Sequence, residues 1–251
     1  MDTARIADLL EPFLESSLLS SQLDQISIYI DLLLRWNVRI NLTAIRRPEE
    51  IVTRHFGESL FLARHLFPTP LSPCYPERSE DMREAHIFAE SKAPCISSPT
   101  APPLGILPTS SNPPRVLDIG SGAGFPAFPL KLWAPQIQLT LVESNHKKAA
   151  FLREVARALT LTNINVISER AEAVSNRPDV RQADVVTLRA VEHFETILPE
   201  AVAFLAPNAI LALLIGAAQV PRLAALTTLK WHPPIPVPKS HTRMLSIGIR
   251  W

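Results

Sequence analysis

The chain has 251 residues, enough for one large domain or a domain with a smaller module, and 47% of them are hydrophobic. A formal net charge of +1 is too small to indicate a polyanionic partner, so any nucleic-acid function must rest on local charge. The longest apolar stretch, residues 201–218, contains Pro207 and Asn208 and predicts no membrane span. The N-terminus lacks the features of a signal peptide, so we expect a cytoplasmic protein without membrane association.

The first 68 residues predict a helical module, which we call the helical cap. Apolar side chains recur there at the three-to-four spacing of one buried helical face: Leu23, Ile26, Ile30, Leu33 and Leu34. A second helix is predicted to begin at Pro48, because proline suits a first helical turn and Glu49 and Glu50 lie beside the positive end of the dipole. It is expected to run to about Phe67.

Residues 69–113 differ in composition from the rest of the chain. Nine prolines and seven serines interrupt any periodicity, and the segment is predicted to be a disordered or poorly packed insert. Both cysteines, Cys74 and Cys95, lie in it without CxxC spacing or histidines at the spacing of zinc ligands. We therefore expect neither a metal site nor a cysteine nucleophile.

From Arg115 onward, short apolar strands alternate with helical patterns, which is typical of βαβ units and a parallel sheet. We predict an α/β, Rossmann-like domain over residues 114–251. Its seven strands are expected near 115–119, 137–142, 164–168, 183–188, 209–215, 228–235 and 243–249. The clearest helix is predicted over 146–160, with one apolar face formed by Phe151, Leu152, Val155, Ala158 and Leu159.

A glycine-rich turn follows the first strand and precedes a helix that Pro126 is expected to open. Gly120, Gly122 and Gly124 would let a ligand approach backbone amides at the carboxyl edge of the sheet, so the turn predicts a cofactor site. Phe125 and Pro126 follow the last glycine, where a phosphate loop would need a lysine and a hydroxyl. The turn therefore argues against a nucleoside triphosphate.

Two acidic residues favour S-adenosylmethionine over a dinucleotide. Asp118, two residues before Gly120, would repel a pyrophosphate but attract the ammonium or sulfonium group of S-adenosylmethionine. Glu143 lies nineteen residues after Gly124, at the end of the second strand, where an acid can accept hydrogen bonds from both ribose hydroxyls. The GxGxG spacing also differs from the GxGxxG of dinucleotide sites. We therefore predict a methyltransferase.

The methyl acceptor is narrowed by what the sequence lacks. The fourth strand, DVVTLRAVEHF, carries no Asn- or Asp-Pro-Pro-aromatic tetrapeptide typical of exocyclic amine methylation, and a carbon-5 pyrimidine methyltransferase needs a cysteine nucleophile. An acceptor with a free lone pair, such as guanine N7, needs only positioning and electrostatics. Residues 35–65 carry six arginines against three acids, which fits a nucleic-acid surface or simply a solvated, paired helical face.

The sequence resembles the bacterial small-subunit ribosomal RNA methyltransferase G family, also called glucose-inhibited division protein B. The segment LLLRWNVRINLTAIRRPEEIVTRHFGESL, residues 32–60, is similar to that family's N-terminal pattern of Trp-Asn, Asn-Leu-Thr and Arg-His. LDIGSGAGFPAFPLKL is similar to its cofactor loop, and ERAEA and TLRAVEHF to its two later arginine motifs. The resemblance covers nearly the whole chain apart from the insert.

The resemblance implies a class I methyltransferase that acts as a monomer on 16S ribosomal RNA, at N7 of guanine 527, with S-adenosylmethionine as cofactor. It implies that Gly120 and Phe125 bound the cofactor and that Ala171 and Glu172 lie beside its adenine. Arg189 is expected at the cofactor and acceptor edge, and Arg170 among the RNA or cofactor contacts. We expect these two arginines to orient the guanine, with no general base required.

Three features depart from the family pattern. Ile215-Gly216 stands where the family usually has Lys-Gly, so a cationic contact is missing there. Gly57 replaces an apolar residue, and glycine inside a helix costs about 1 kcal/mol relative to alanine. The insert separates the helical cap from the first strand. These departures keep open a non-catalytic RNA-binding homologue, beside a methyltransferase of a protein or small molecule and a nicotinamide oxidoreductase.

Overall fold

The computed structural model describes residues 1–67, 112–175, 177, 182–189 and 194–251, apart from the side chains at 194 and 195. The predicted boundary at residue 68 and almost all of the predicted insert, with both cysteines, lie outside the described residues.

The described chain forms helices first and then an alternation of strands and helices. The α-helices are α1 Thr3–Leu10, α2 Ser20–Asn37, α3 Pro48–Ile51, α4 Glu58–Leu66, α5 Ala127–Trp133, α6 His146–Ala158, α7 Ala171–Ser175 and α8 Phe194–Ala203. The strands are β1 Arg115–Ile119, β2 Gln138–Val142, β3 Ile164–Ile167, β4 Ala183–Arg189, β5 Leu205–Gly216, β6 Leu229–Trp231, β7 Ile235–Pro236 and β8 Arg243–Arg250. Two 3₁₀ helices, Glu11–Phe13 and Ala217–Ala225, complete the elements.

The sheet confirms the predicted α/β class. Its strand order is β3-β2-β1-β4-β5-β8-β6, with β7 paired to β8. Strands β1 to β5 run parallel to their neighbours, whereas β8 lies antiparallel between β5 and β6. The carboxyl ends of β1 to β4 therefore share one edge, which is where ligands bind in open α/β sheets.

Two strand predictions are wrong in detail. The single strand expected over 228–235 is two short strands, because Pro233 and Pro234 between them have no backbone N–H for the ladder. The sheet therefore has eight strands where seven were expected. Strand β5 begins at Leu205, before the predicted 209, and absorbs Pro207 and Asn208 as an irregularity: its pairing with β4 shifts between Leu205 and Ile210.

The helix predicted from Pro48 begins there and stays helical to Leu66, but its middle, Val52–Gly57, is π-helical. The helix predicted over 146–160 is confirmed as α6, with Ala158 exposed and not on its buried face. Within the described residues, the structure contains no helix with the length and apolarity that crossing a membrane requires.

The two faces of the sheet belong to two separate apolar clusters. Val116 of β1 lies in a cluster that also contains buried side chains of the helical cap, from Ile6 to Phe67. Leu117, one residue later, lies in the other cluster, with Ile215. The alternation along β1 thus divides its side chains between the cap face and the opposite face. The cap face and the sheet share one continuous core.

Gly57 has a packing role that its sequence position does not reveal. A Cβ atom at residue 57 would lie 2.7 Å from the ring of Phe13, which is fully buried in the cap. The absence of a side chain therefore lets Phe13 pack against the π-helical backbone. This contact explains the glycine where the family pattern has an apolar residue.

We expect Gly57→Ala to lower the free energy of unfolding by about 1–3 kcal/mol, because overpacking against the Phe13 ring outweighs the gain in helix propensity. Urea unfolding measures this. Gly216→Ala is the matched control, since a Cβ there meets nothing closer than 3.6 Å and the backbone is extended. Equal or greater stability of the Gly57 variant would contradict the packing role.

Candidate active site

The predicted cofactor turn lies between β1 and α5, and its three glycines all have positive φ: 67° at Gly120, 55° at Gly122 and 83° at Gly124. The N–H groups of Gly120 and Ser121 both donate to the carbonyl of Val142, at 2.8 and 3.1 Å, which ties the turn to β2. Left-handed backbone at three alternate positions requires glycine at each of them.

Two of these glycines also differ in what surrounds them. A Cβ at Gly124 would overlap the Phe128 ring and the Tyr29 hydroxyl, so this glycine permits close packing of the turn on the cap. A Cβ at Gly120 would meet nothing within 4 Å. The turn therefore packs on the cap at its end and has open space beside its first glycine, where a ligand has room to approach the backbone.

Phe125 fixes the turn to the helical cap. Its ring is stacked between Tyr29, at a centroid distance of 5.2 Å, and His55, at 4.8 Å, and only 7% of the residue is exposed. The Tyr29 hydroxyl donates to the carbonyl of Ala123 within the turn. Phe125 lies in the predicted turn, but most of its surface contacts the cap.

Glu143, the acid predicted for the ribose, lies beside the turn. Its Oε2 accepts a hydrogen bond from the Gly122 N–H at 2.8 Å, and its Oε1 accepts one from the Asn145 N–H at the same distance. The residue is buried, yet each carboxylate oxygen has a second lone pair. The acid is thus held by two backbone donors with capacity for further hydrogen bonds.

Asp118 is more deeply placed than its predicted role requires. It is buried within β1, its Oδ1 accepts a hydrogen bond from the Thr187 hydroxyl at 2.6 Å, and its Oδ2 has no hydrogen-bond partner. Burial raises the pKa of Asp118 to about 6, against the hydrogen bonds from Thr187 and Ser121. The prediction of a charged group at the mouth of the crossover is therefore corrected: this carboxylate lies inside the strand.

Arg189 ends β4 on the same face as Thr187. Its Nη2 donates to Glu58 Oε2 at 2.9 Å and to the carbonyl of Arg54, whereas its Nη1 is buried without a partner. Burial lowers the pKa of Arg189 to about 10, opposed by the charge of Glu58. Asp118 also feels this guanidinium, so the two predicted site residues on neighbouring strands interact.

The remaining predicted residues follow β3 on the far side of the turn. Arg170 is exposed, Ala171 is buried in the cluster opposite the cap, and Glu172 is exposed in the first turn of α7. Two strands, β2 and β1, separate β3 from β4. At a strand spacing of about 4.8 Å, the backbones at the ends of β3 and β4 are roughly 14 Å apart. Arg170 and Arg189 thus flank the turn.

Sequence reasoning missed residues that the cap contributes to this edge. Glu58 and Tyr29 were not predicted, and His55 was noted only as part of the basic stretch. The His55 Nε2 lies 2.8 Å from the Thr43 hydroxyl, while burial, with Arg189 and other arginines nearby, lowers the pKa of His55 to about 3. The spacing of Arg54 and Glu58, four residues apart on a helix, was an available indication of their pair.

The basic stretch divides into paired and exposed members. Arg54 pairs with Glu58, and Arg64 pairs with Glu15 at 3.2 Å and lies over the Phe61 ring. The exposed arginines are Arg35, Arg39, Arg46 and Arg47. Among the described residues, no group of three or more histidine, cysteine or acidic side chains could hold a metal ion.

Taken together, the parallel strands, the antiparallel β8 and the glycine turn with an acid at the end of β2 define a Rossmann-like fold of the class I methyltransferase type. The rRNA small subunit methyltransferase G family model matches residues 22–69 and 104–229. The chain therefore belongs to this family.

Three curated relatives carry the same description, Ribosomal RNA small subunit methyltransferase G. That of Roseiflexus castenholzii is 37% identical over 70% of this chain and 58% of its own length. Those of Chloroflexus aggregans and Bacillus subtilis are 36% and 30% identical over 73% and 72% of this chain. The alignments cover 60% and 59% of those two relatives, so the chain spans less than two thirds of each.

The buried carboxyl of Asp118 should make stability depend on pH. Its pKa of about 6 lies above the ordinary 3.8, so the folded state binds this proton more tightly than the unfolded state. No stability is lost below about pH 4, and the cost grows as pH rises to about 6, where it reaches roughly 3 kcal/mol. Asp118→Asn should remove this cost while keeping an acceptor for Thr187.

Urea unfolding of wild type and Asp118→Asn at about pH 4 and about pH 7 measures the effect. The free energy of unfolding of the variant relative to wild type should increase from the lower pH to the higher. Titration of other groups, including His55, is common to both proteins and cancels in this comparison. A difference that does not change with pH would contradict the raised pKa.

Proposed function

We propose that this chain transfers the methyl group of S-adenosylmethionine to N7 of a guanine in 16S ribosomal RNA, with guanine 527 as the family-typical position. The observation that carries the proposal is the hydrogen bond between Glu143 and Gly122 at a turn with open space at Gly120. Family membership supplies the reaction and substrate class. Ribosomal RNA as substrate places the protein's activity in the cytoplasm.

The residues present fit S-adenosylmethionine. Glu143 would accept hydrogen bonds from the ribose hydroxyls, the Gly120 and Gly122 backbone would adjoin the methionine end, and Ala171 and Glu172 would lie on the adenine side. Asp118 adds negative potential within the strand beneath the turn. When bound, this cofactor supplies a methyl group on a positively charged sulfur.

The protein's own contribution to the reaction is positioning. Guanine N7 carries a free lone pair, so no proton has to be removed before it attacks, and no general base is needed. The neutral His55 and the hydrogen-bonded Glu143 are not required to transfer a proton. Arg189, with one unpaired buried donor, would orient the guanine, and Arg170 would contact the RNA or the cofactor.

The exposed arginines of the cap are suited to hold the RNA. Arg35 and Arg39 extend from α2 and the turn after it, and Arg46 and Arg47 precede α3. Their charges can contact phosphates, which carry most of the affinity for RNA and none of the base specificity. The guanine would be presented unstacked from its neighbours.

Titration calorimetry and methyl transfer test the proposal together. We expect the purified protein to bind S-adenosylhomocysteine but not NAD, and to transfer labelled methyl groups to undermethylated 30S subunits, with the label mapping to N7-methylguanosine. Binding to 16S RNA without transfer would indicate a non-catalytic homologue. Transfer to a protein or small molecule instead, or absence of S-adenosylhomocysteine binding, would refute the proposal.

Glu143→Gln tests the cofactor site directly. A glutamine presents an amide nitrogen where one carboxylate oxygen accepts hydrogen bonds, so affinity for S-adenosylhomocysteine should fall roughly 10- to 100-fold. Calorimetry measures the dissociation constant, with Glu50→Gln as control because Glu50 is exposed and pairs only loosely with Arg47 at 3.9 Å. Equal affinity of the two variants would remove Glu143 from the cofactor site.

A further inference from the structure

A buried carboxylate joins the helical cap to the end of β4. Glu58, the first residue of α4, is 1% exposed and uses both oxygens: Oε1 accepts from Arg54 Nε at 3.1 Å and Oε2 from Arg189 Nη2 at 2.9 Å. A buried ion pair is weak evidence for a stabilising role, because apolar residues of similar volume often stabilise as well or better. The pair therefore invites a functional explanation.

The two arginines are not equivalent partners of Glu58. The Arg54 side chain is 48% exposed, whereas the Arg189 side chain is 8% exposed. Arg189 is also held by the Arg54 carbonyl, again through Nη2. All the hydrogen bonds seen for its guanidinium thus converge on one nitrogen.

The other terminal nitrogen, Arg189 Nη1, is buried and has no hydrogen-bond partner. An unpaired buried donor costs free energy, and native proteins keep few of them without a reason. Strand β4 fixes this donor at the carboxyl edge, two residues after Thr187, whose hydroxyl is bonded to Asp118 of the neighbouring strand. The donor therefore belongs to the edge where the glycine turn lies.

The chemistry of guanine gives this asymmetry a meaning. A guanidinium with both terminal nitrogens free pairs bidentately with O6 and N7 of guanine, which is the commonest specific arginine contact with bases. Such a contact would occupy the N7 lone pair that must attack the methyl group. A guanidinium with one terminal nitrogen already engaged offers a single donor, which can bind O6 and leave N7 free.

We propose that Glu58 is a positioning residue that occupies Arg189 Nη2, so that Nη1 alone donates to O6 of the acceptor guanine and N7 stays free for methylation. This inference rests on the proposed function and deepens it, because it explains how an arginine recognises guanine without blocking the reacting atom. Glu58 acts through Arg189 and contacts neither cofactor nor RNA.

Glu58→Gln tests the positioning role, with Glu50→Gln on the same helical segment as matched control. Released Arg189 can pair with both O6 and N7, so kcat for methyl transfer to undermethylated 30S subunits should fall roughly 10- to 100-fold. The KM for 30S subunits should not rise, and the affinity for S-adenosylhomocysteine should stay within about threefold of wild type. The control variant should match wild type in all three measurements.

Two results would overturn the positioning role. One is a kcat of Glu58→Gln within about threefold of wild type, and the other is a loss of S-adenosylhomocysteine affinity as large as the loss of kcat. Wild-type protein that transfers no methyl group would instead refute the proposed function itself. The wild-type assay therefore separates the two failures.

Arg189→Lys keeps the inference testable even if Glu58→Gln does not fold. A lysine retains the buried charge opposite Glu58, so circular dichroism should show a folded protein, but its single ammonium cannot reproduce the fixed fork of a guanidinium. We expect a similar fall in kcat, and the double variant should be no slower than Arg189→Lys alone, because Glu58 acts only through residue 189. A wild-type rate for Arg189→Lys would overturn the inference.

Discussion

The stacking of Phe125 between Tyr29 and His55 is the contact on which the architecture of the site depends. It joins the glycine turn of the sheet to two helices of the cap, and Phe56 packs edge-on against both Tyr29 and Phe125. Aromatic pairs in these geometries add to the free energy gained by burial alone. Because the turn has left-handed backbone at three glycines, its conformation is permissive in the unfolded chain and requires such packing to become unique.

The same contact brings ionisable groups of the cap close to those of the sheet. His55 is neutral because burial and the neighbouring arginines disfavour its charged form, and Asp118 has a raised pKa because it is buried. Arg189 keeps its charge beside the carboxylate of Glu58. Perturbed ionisable groups cluster at functional sites, since structural packing alone seldom justifies their cost. Here they lie on one face of the sheet, at the end of β1 and β4 and on the helix above them.

Sequence patterns predicted the local features of this chain well and the contacts between distant segments poorly. The strands β1 to β4 and the helix α6 follow from apolar periodicity, and the glycine turn and Glu143 follow from their position after β1 and β2. The break at Pro233 and Pro234 could have been anticipated from the loss of two ladder donors. The irregular start of β5 could not, because it depends on pairing with β4 and not on the residues at 205–208 themselves.

The site shows the same division. Gly120 and Glu143 belong to one βαβ unit, so their proximity is implied by the fold class. The pairing of Glu58 with Arg189 joins residues 131 positions apart, across a module whose docking no local pattern specifies. The sequence also suggested that Gly57 was a cost to its helix, whereas Phe13 requires the missing side chain. Only the packed structure distinguishes these alternatives.

These contacts also explain why a helical cap accompanies the sheet. In an open α/β sheet the strands supply one edge and leave the space beyond it unwalled. The cap closes the Asp118 and Arg189 side of that edge with the aromatic stack and with Glu58, and both come from the stretch between residues 29 and 58. A sheet without the cap would retain the glycine turn and Glu143, but Arg189 would lose its carboxylate partner and Phe125 both of its stacking partners. Cofactor contacts thus belong to the sheet, and the control of the acceptor arginine belongs to the cap.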